Sequence, residues 1–311
     1  MGLPLDRLRP RLRPRRFFEL DARPKRPFYE PLALYLGVGL AFDRAHVEYI
    51  ENPAELGYSV TELQELALAN LARIHEKGRF KEVSKGLWEA KFDDEFGAER
   101  MLLPDVFDEL TLDGDPVVFL PADDTLVVVG SNDHDALTAG FSLVTEKPLE
   151  FAFARSGGRW APFVGEGAHA ETQERRVLFY LGPAYALQEK YLAEDAPALA
   201  DFRVHVSAGF SITPWKKGTR AWLPVTSAIE LDDGTENLVA ANWADVVALV
   251  PGALELVPDV WPERYETKRF PPPDVIAKLR KDLEPPRRAP RGLVLAAVAA
   301  IGVFLYFLLR K

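Results

Sequence analysis

The sequence predicts an α+β protein: a mainly antiparallel sheet with flanking helices, arranged as two cytosolic subdomains, plus a single C-terminal transmembrane helix. Three observations carry that prediction. Short β-branched or aromatic runs recur through the middle of the chain with turn residues between them, the pattern of hairpins. Short helices with recognisable caps are mixed among those runs, which together argue for α+β domains. Finally, residues 292–309 form an uncharged stretch of eighteen, eleven of them Leu, Val, Ile or Phe.

In chain order, residues 1–29 place Arg7, Arg9, Arg11, Arg13 and Arg15 at alternate positions, and Pro4, Pro10 and Pro14 forbid a continuous helix through them. This segment reads as an extended or disordered basic arm. A first domain is expected over 30–163, opening with strands at 34–40 and 46–50. A helix follows, capped by Ser59 or Thr61 with Glu62 or Gln64 as the reciprocal partner; Leu63, Leu66, Ala67, Leu71 and Ile74 make its apolar face and Gly78 ends it. Strands at 79–83 and 87–92 are joined by Ser84-Lys85-Gly86, which has hairpin-turn chemistry. Asp93 or Asp94 then starts a helix through Ala98, Met101 and Leu102, and Pro104 opens a second short one. Strands at 117–120 and 126–129 flank Pro121-Ala122-Asp123-Asp124, a helix covers 133–144, and Ser156-Gly157-Gly158 turns a hairpin.

A second α+β domain is expected over 174–283, with strands at 177–181, 203–210 and 221–229 and helices at 185–194 and 243–250. Asp274, after Pro271-Pro272-Pro273, caps a closing helix that contains Ile276 and Leu279, and 284–291 is a Pro/Arg linker. The terminal run is about 27 Å long as a helix, close to the roughly 30 Å hydrocarbon core of a bilayer. Gly292, Leu293, Leu295, Ile301, Phe304, Phe307 and Leu309 are therefore read as a membrane anchor. Only Arg310 and Lys311 follow it, and the first thirty residues hold no apolar signal-peptide core. A tail-anchored, single-pass protein of the inner (plasma) membrane is expected, its N-terminal body in the cytoplasm. Arg287, Arg288 and Arg291 outnumber Arg310 and Lys311, in agreement with that orientation. Gly292, Ala296 and Ala300 recur every four residues, a face through which two such helices can pair as a weak homodimer.

The net charge of −9 hides three blocks: residues 1–26 carry +6, residues 276–311 carry +6, and residues 27–275 carry −21. Arg7, Arg9, Arg11, Arg13, Arg15 and Arg16 suit an anionic lipid surface, or contact with the chain's own acidic body. Nucleic acid is disfavoured, because the acidic body repels it. That body suits a basic protein partner. Cysteine is absent, which excludes disulfides and thiolate metal sites. No nucleophile elbow, Walker loop or dinucleotide fingerprint follows a strand, so no cofactor is implied and an enzyme is the less favoured class.

Asp94, Arg100 and Asp124 are the candidate ligand-binding residues, since a loop-borne carboxylate pair near an arginine can hold a cation or an anionic group. The competing reading makes Asp94 a helix cap, Arg100 an ion-pair partner and Asp124 a turn residue. His134, between Asp133 and Asp135, marks a capped helix start, because consecutive residues there do not converge on one metal ion. Glu166, His169 and Glu171 read as an exposed polar loop.

The segment from "TELQELALANLARI" through "AKFDDEFGAERMLLPDVF" to "VVFLPADDTLVVVG" resembles the YtpQ-like family of bacterial proteins, a domain of unknown function. The matches are Ala67, Asn70 and Leu71 of an A-x-x-N-L helix, then Asp94, Ala98, Arg100 and Leu102, with Glu99 where Ser is usual. Pro121, Asp124 and Leu126 complete a Pro-x-x-Asp-x-Leu element. The resemblance covers 30–163 and implies an α+β cytoplasmic domain without an established reaction. Two functions follow as expectations: a membrane-tethered binding or scaffold module, or else a membrane-associated, metal-dependent enzyme using Asp94, Arg100 and Asp124.

Overall fold

A computed structural model describes residues 4–281 except 22–24, 45, 123, 144–150, 157, 195, 206–208 and 236–237. The anchor residues from Gly292 to Leu309, the pairing face Gly292/Ala296/Ala300 and the linker 284–291 lie outside the described residues. Among those described, no helix is long and apolar enough to cross a membrane. The chain is α+β with mainly antiparallel sheets, and it divides into two compact units at Gln173/Glu174.

The first unit holds two sheets. In one, β1 (Leu8–Pro14) and β2 (Tyr29–Ala33) flank β3 (Leu36–Asp43), and β4 (Val47–Tyr49) also pairs with β3. Here the extended alternative expected for the arm holds over part of it. Its residues Leu8–Pro14 form an ordered strand, because alternation sends Leu8 and Leu12 to one face, where both are fully buried, while the arginines take the other. Helix α1 (Val60–Arg73) packs on β1. Its start is a capping box: Ser59 Oγ accepts from the Glu62 N–H, and Glu62 accepts from the Ser59 N–H. Leu63 and Ala67 meet Leu8, Leu40 and Phe42 in a common core.

The second sheet runs β10-β9-β7-β8-β6-β5, from β5 (Phe80–Ser84), β6 (Leu87–Ala90), β7 (Pro116–Ala122), β8 (Thr125–Gly130), β9 (Ala152–Ser156) and β10 (Arg159–Pro162). Val117–Leu120 and Leu126–Val129 are buried on both faces. Helix α2 (His134–Leu143) covers one face through Leu137 and Phe141, and the 3-10 turn Ala98–Leu102 lies against β7 and β8. The helices expected from Asp93 or Asp94 and from Pro104 are not formed. Asp94 instead accepts from the Phe96 N–H two residues on, an Asx turn that diverts the backbone and leaves only that 3-10 turn.

Helix α3 (Gly167–Leu192) carries the chain from the first unit into the second. Two expectations are corrected by it. Residues 177–181 are helical and not a strand: their aromatic and β-branched content mimics one, but Tyr180, Ala184, Tyr185 and Gln188 are buried at helical spacing. His169 and Glu171 likewise lie in the first turns of α3 and not in a loop.

The second unit has two further sheets. One runs β11-β12-β14-β15, formed by β11 (Arg203–His205), β12 (Phe210–Lys216), β14 (Ala228–Asp232) and β15 (Val239–Asn242), with β12 and β14 parallel. The other places β17 (Arg264–Thr267) between β13 (Trp222–Pro224) and β16 (Leu254–Leu256). The strands expected at 203–210 and 221–229 are each interrupted: β11 ends at His205 and β12 begins at Phe210, while β13 ends at Pro224 and β14 begins at Ala228 in the other sheet. Helices α4 (Trp243–Leu249) and α5 (Pro273–Lys281) bury Val246, Ile276 and Leu279 against Trp215, Ile229 and Leu231.

Candidate functional site

Of the three candidate residues, the fold joins two. Asp94 lies in the bend after β6 and Arg100 in the 3-10 turn Ala98–Leu102, so six residues of tight backbone bring them face to face. Arg100 Nη1 donates to Asp94 Oδ1 at 2.8 Å and Nη2 to Oδ2 at 2.7 Å, a bidentate pair. Arg100 Nη2 also donates to the Ile74 carbonyl at the end of α1, at 3.2 Å. The guanidinium carbon lies 3.6 Å from the centroid of the Phe92 ring. Arg100 is wholly buried, whereas the Asp94 side chain is 33% exposed. Burial works against ionising Asp94, yet the Arg100 hydrogen bonds and the Phe96 N–H hold its carboxyl below the usual carboxylate range. The neighbouring His75 ring is held below its ordinary value, first by burial and then by Arg100.

Asp124 does not join them through its carboxylate. It is exposed and accepts from the Thr125 hydroxyl at 3.1 Å. Its backbone carbonyl does approach, however, because a Cβ on Gly97 would stand 1.8 Å from the Asp124 oxygen. Glycine at 97 is therefore what lets the β7–β8 turn close on the segment between Asp94 and Arg100. Among the described residues no group of three or more His, Asp or Glu side chains is placed to hold a metal ion. Three of the five guanidinium donors of Arg100 are taken by Asp94 and a main-chain carbonyl, while its buried Nε has no hydrogen-bond partner, so the pair serves as a clamp across three segments.

A buried carboxylate that sequence reasoning passed over lies beside this clamp. Glu99 is wholly buried, and its Oε1 accepts from the Leu12 N–H of β1 at 3.1 Å. Arg11, 4% exposed, places Nε 3.8 Å from the same oxygen, donates Nη1 to the Glu95 carbonyl at 3.0 Å and lies over the Phe96 ring. Burial pushes the Glu99 carboxyl up to about 7, against the opposing pull of Arg11. The signal that could have found it is the surplus of arginine on β1, which needs a partner if that strand is to be buried.

The six arm arginines accordingly divide. Arg11 is buried and is no lipid contact, since its charge is turned inward to Glu95 and Glu99. Arg15 pairs with Glu19 and donates to the Tyr29 hydroxyl, and Arg16 pairs with Asp21. Arg9 and Arg13 donate to main-chain carbonyls of their own strand, and Arg7 is exposed. The expected alternative, contact with the chain's own acidic body, accounts for Arg11 alone, because Glu19 and Asp21 belong to the arm itself.

His134 opens α2 as expected, with Asp133 accepting from the Ala136 N–H at 2.9 Å. In the second unit no local pattern marks Arg264, which is wholly buried on β17 and donates to Gln188, Glu189, Ala200 and Trp222.

Comparison with known proteins returns no match to a family profile, to a curated protein or to a solved structure.

Proposed function

We propose that this chain is a single-pass membrane protein held by residues 292–309, with its two-unit body on the cytoplasmic side of the inner membrane, where it works as a binding or scaffold module. The observation that carries the proposal is the uncharged stretch of eighteen residues bounded by Arg291 and Arg310. A helix of that length fits the hydrocarbon core, and each Leu, Ile, Val or Phe at its centre favours insertion by about 0.3–0.6 kcal/mol. The body's role as a recruiter rests on charge: −21 over residues 27–275 attracts a basic protein and repels nucleic acid. The Asp94–Arg100 pair engages three donors of Arg100 within the protein, so the recruiter reading rests on the charge of the body and not on this position.

Kinship with the YtpQ-like domain over 30–163 belongs to the same proposal. The residues that suggested it have architectural work: Asn70 Nδ2 donates to the Leu5 and Leu8 carbonyls at 2.7 and 3.0 Å, and Asp94 with Arg100 makes the clamp. Glu99, the departure from the family pattern, is the residue that holds the arm strand.

The test is co-purification from detergent-solubilised membranes at low and high salt, using the whole chain and a form ending at Lys281. A basic protein retained at low salt and released at high salt is the expected result. Retention of acidic or salt-indifferent partners alone contradicts the electrostatic recruiter.

A further inference from the structure

The turn between α4 and β16 in the second unit breaks the usual composition of a protein surface. Residues 246–254, Val-Val-Ala-Leu-Val-Pro-Gly-Ala-Leu, contain no charge, with Asp245 before them and Glu255 after. Val246, Val250 and Ala253 point into the core, while Val247, Ala248, Leu249, Pro251 and Gly252 are exposed. Val247 and Leu249 expose 46% and 44% of their surface. A consecutive exposed apolar run of this kind is a cost in water unless something covers it. At its rim Arg269 is exposed and donates Nη2 to the Pro251 carbonyl at 3.4 Å, which holds a cation beside the apolar tip.

We propose that this tip is a second membrane contact, with Val247, Leu249 and Pro251 set shallowly into the boundary between headgroups and acyl chains while Arg269 meets anionic headgroups. The inference rests on the anchor reading of the preceding subsection. Three observations select a bilayer as the occupant. Helix α5 ends at Lys281, and the ten residues 282–291 reach at most about 35 Å even when fully extended, so the second unit stays close to the leaflet that holds 292–309. Apolar side chains with an adjacent arginine match the two layers of a membrane interface. The patch is also small, three side chains against the roughly 800 Å² per partner that a stable protein interface buries.

Because the chain has no cysteine, single fluorescent labels can be placed by Leu249→Cys, Phe304→Cys and Lys217→Cys. Lys217 serves as the control, an exposed charged position just after the end of β12 in the same unit. The full chain is reconstituted in vesicles of phosphatidylcholine and phosphatidylglycerol carrying a nitroxide close to the headgroup. The Leu249 label is expected to lose most of its emission, the Phe304 label to be quenched as well, and the Lys217 label to stay bright. Arg269→Glu should restore emission at 249 and leave 304 unchanged. Quenching at 304 without quenching at 249 overturns this inference and leaves the anchor standing; absence of quenching at 304 removes the anchor and the tip contact with it. Cross-linking of two chains through Leu249→Cys also overturns it, because the tip then faces a second copy.

Discussion

Asp94→Ala and Arg100→Met remove the two halves of one ion pair, and the structure predicts that they do unequal damage. Arg100 is wholly buried, so Asp94→Ala strands a guanidinium in the interior with only the Ile74 carbonyl and the Phe92 ring for company. Removing one partner of a buried pair costs about 3–5 kcal/mol. Because a third of the Asp94 side chain already meets water, the lower end, about 3 kcal/mol, is the working figure. Arg100→Met removes the buried charge itself and fills much of the same volume, and Asp94 can turn to solvent. Its main loss is the hydrogen bond to the Ile74 carbonyl, about 1–2 kcal/mol. For a unit of this size each kcal/mol lowers the melting temperature by about 2–4 °C, so Asp94→Ala should melt about 6–12 °C lower and Arg100→Met about one third to two thirds as far. Hydrogen exchange of peptides from 60–130, followed along a thermal ramp, reads this unit separately from the second. Equal stability for wild type and both variants, or a larger loss for Arg100→Met, refutes the clamp.

Three further outcomes follow from neighbouring residues. Burial raises the Glu99 carboxyl from 4.5 to about 7, so its contribution is fully present below pH 4.5 and is lost as pH rises through 7, by about 3 kcal/mol at 1.36 kcal/mol per pH unit. Asp94 has the opposite sign and loses its contribution only as pH falls into the acid range. Denaturant titrations of the first unit between pH 4.5 and 8 should show a decline that Glu99→Gln flattens, and an unchanged decline in that variant excludes Glu99 as its source. Gly97→Ala sets a methyl against the Asp124 carbonyl and should destabilise by about 1–3 kcal/mol; a melting curve identical to wild type would show that the turn closes differently. Asn70→Ala removes both donors to the Leu5 and Leu8 carbonyls, at about 1–3 kcal/mol, so amide exchange over Leu8–Pro14 should accelerate ahead of the second sheet, and uniform exchange across both sheets contradicts that anchoring role.

Local chemistry was legible where a few neighbouring residues decide the outcome. The Ser59/Glu62 box, the apolar face of α1, the Ser84-Lys85-Gly86 turn and the start of α2 all follow from caps, periodicity and turn residues. The arm strand was not legible, because its burial depends on Glu99 and Asn70, each more than sixty residues away in sequence. Long-range partners also explain α3, where Tyr180 and Tyr185 find the core on helical spacing despite their strand-like content. For the candidate site, the competing reading has Arg100 as an ion-pair partner and Asp124 as a turn residue, and both hold; what was not visible is that the partner is Asp94. Asp124 was drawn in by spacing alone, since only its main chain approaches the pair.

The central claim concerns residues 292–309, and alkaline carbonate extraction of membranes tests it most directly. The full chain should remain in the membrane pellet at high pH and be released only by detergent, while a form ending at Lys281 is stripped into the supernatant. Recovery of the intact full chain in the carbonate supernatant would contradict the account.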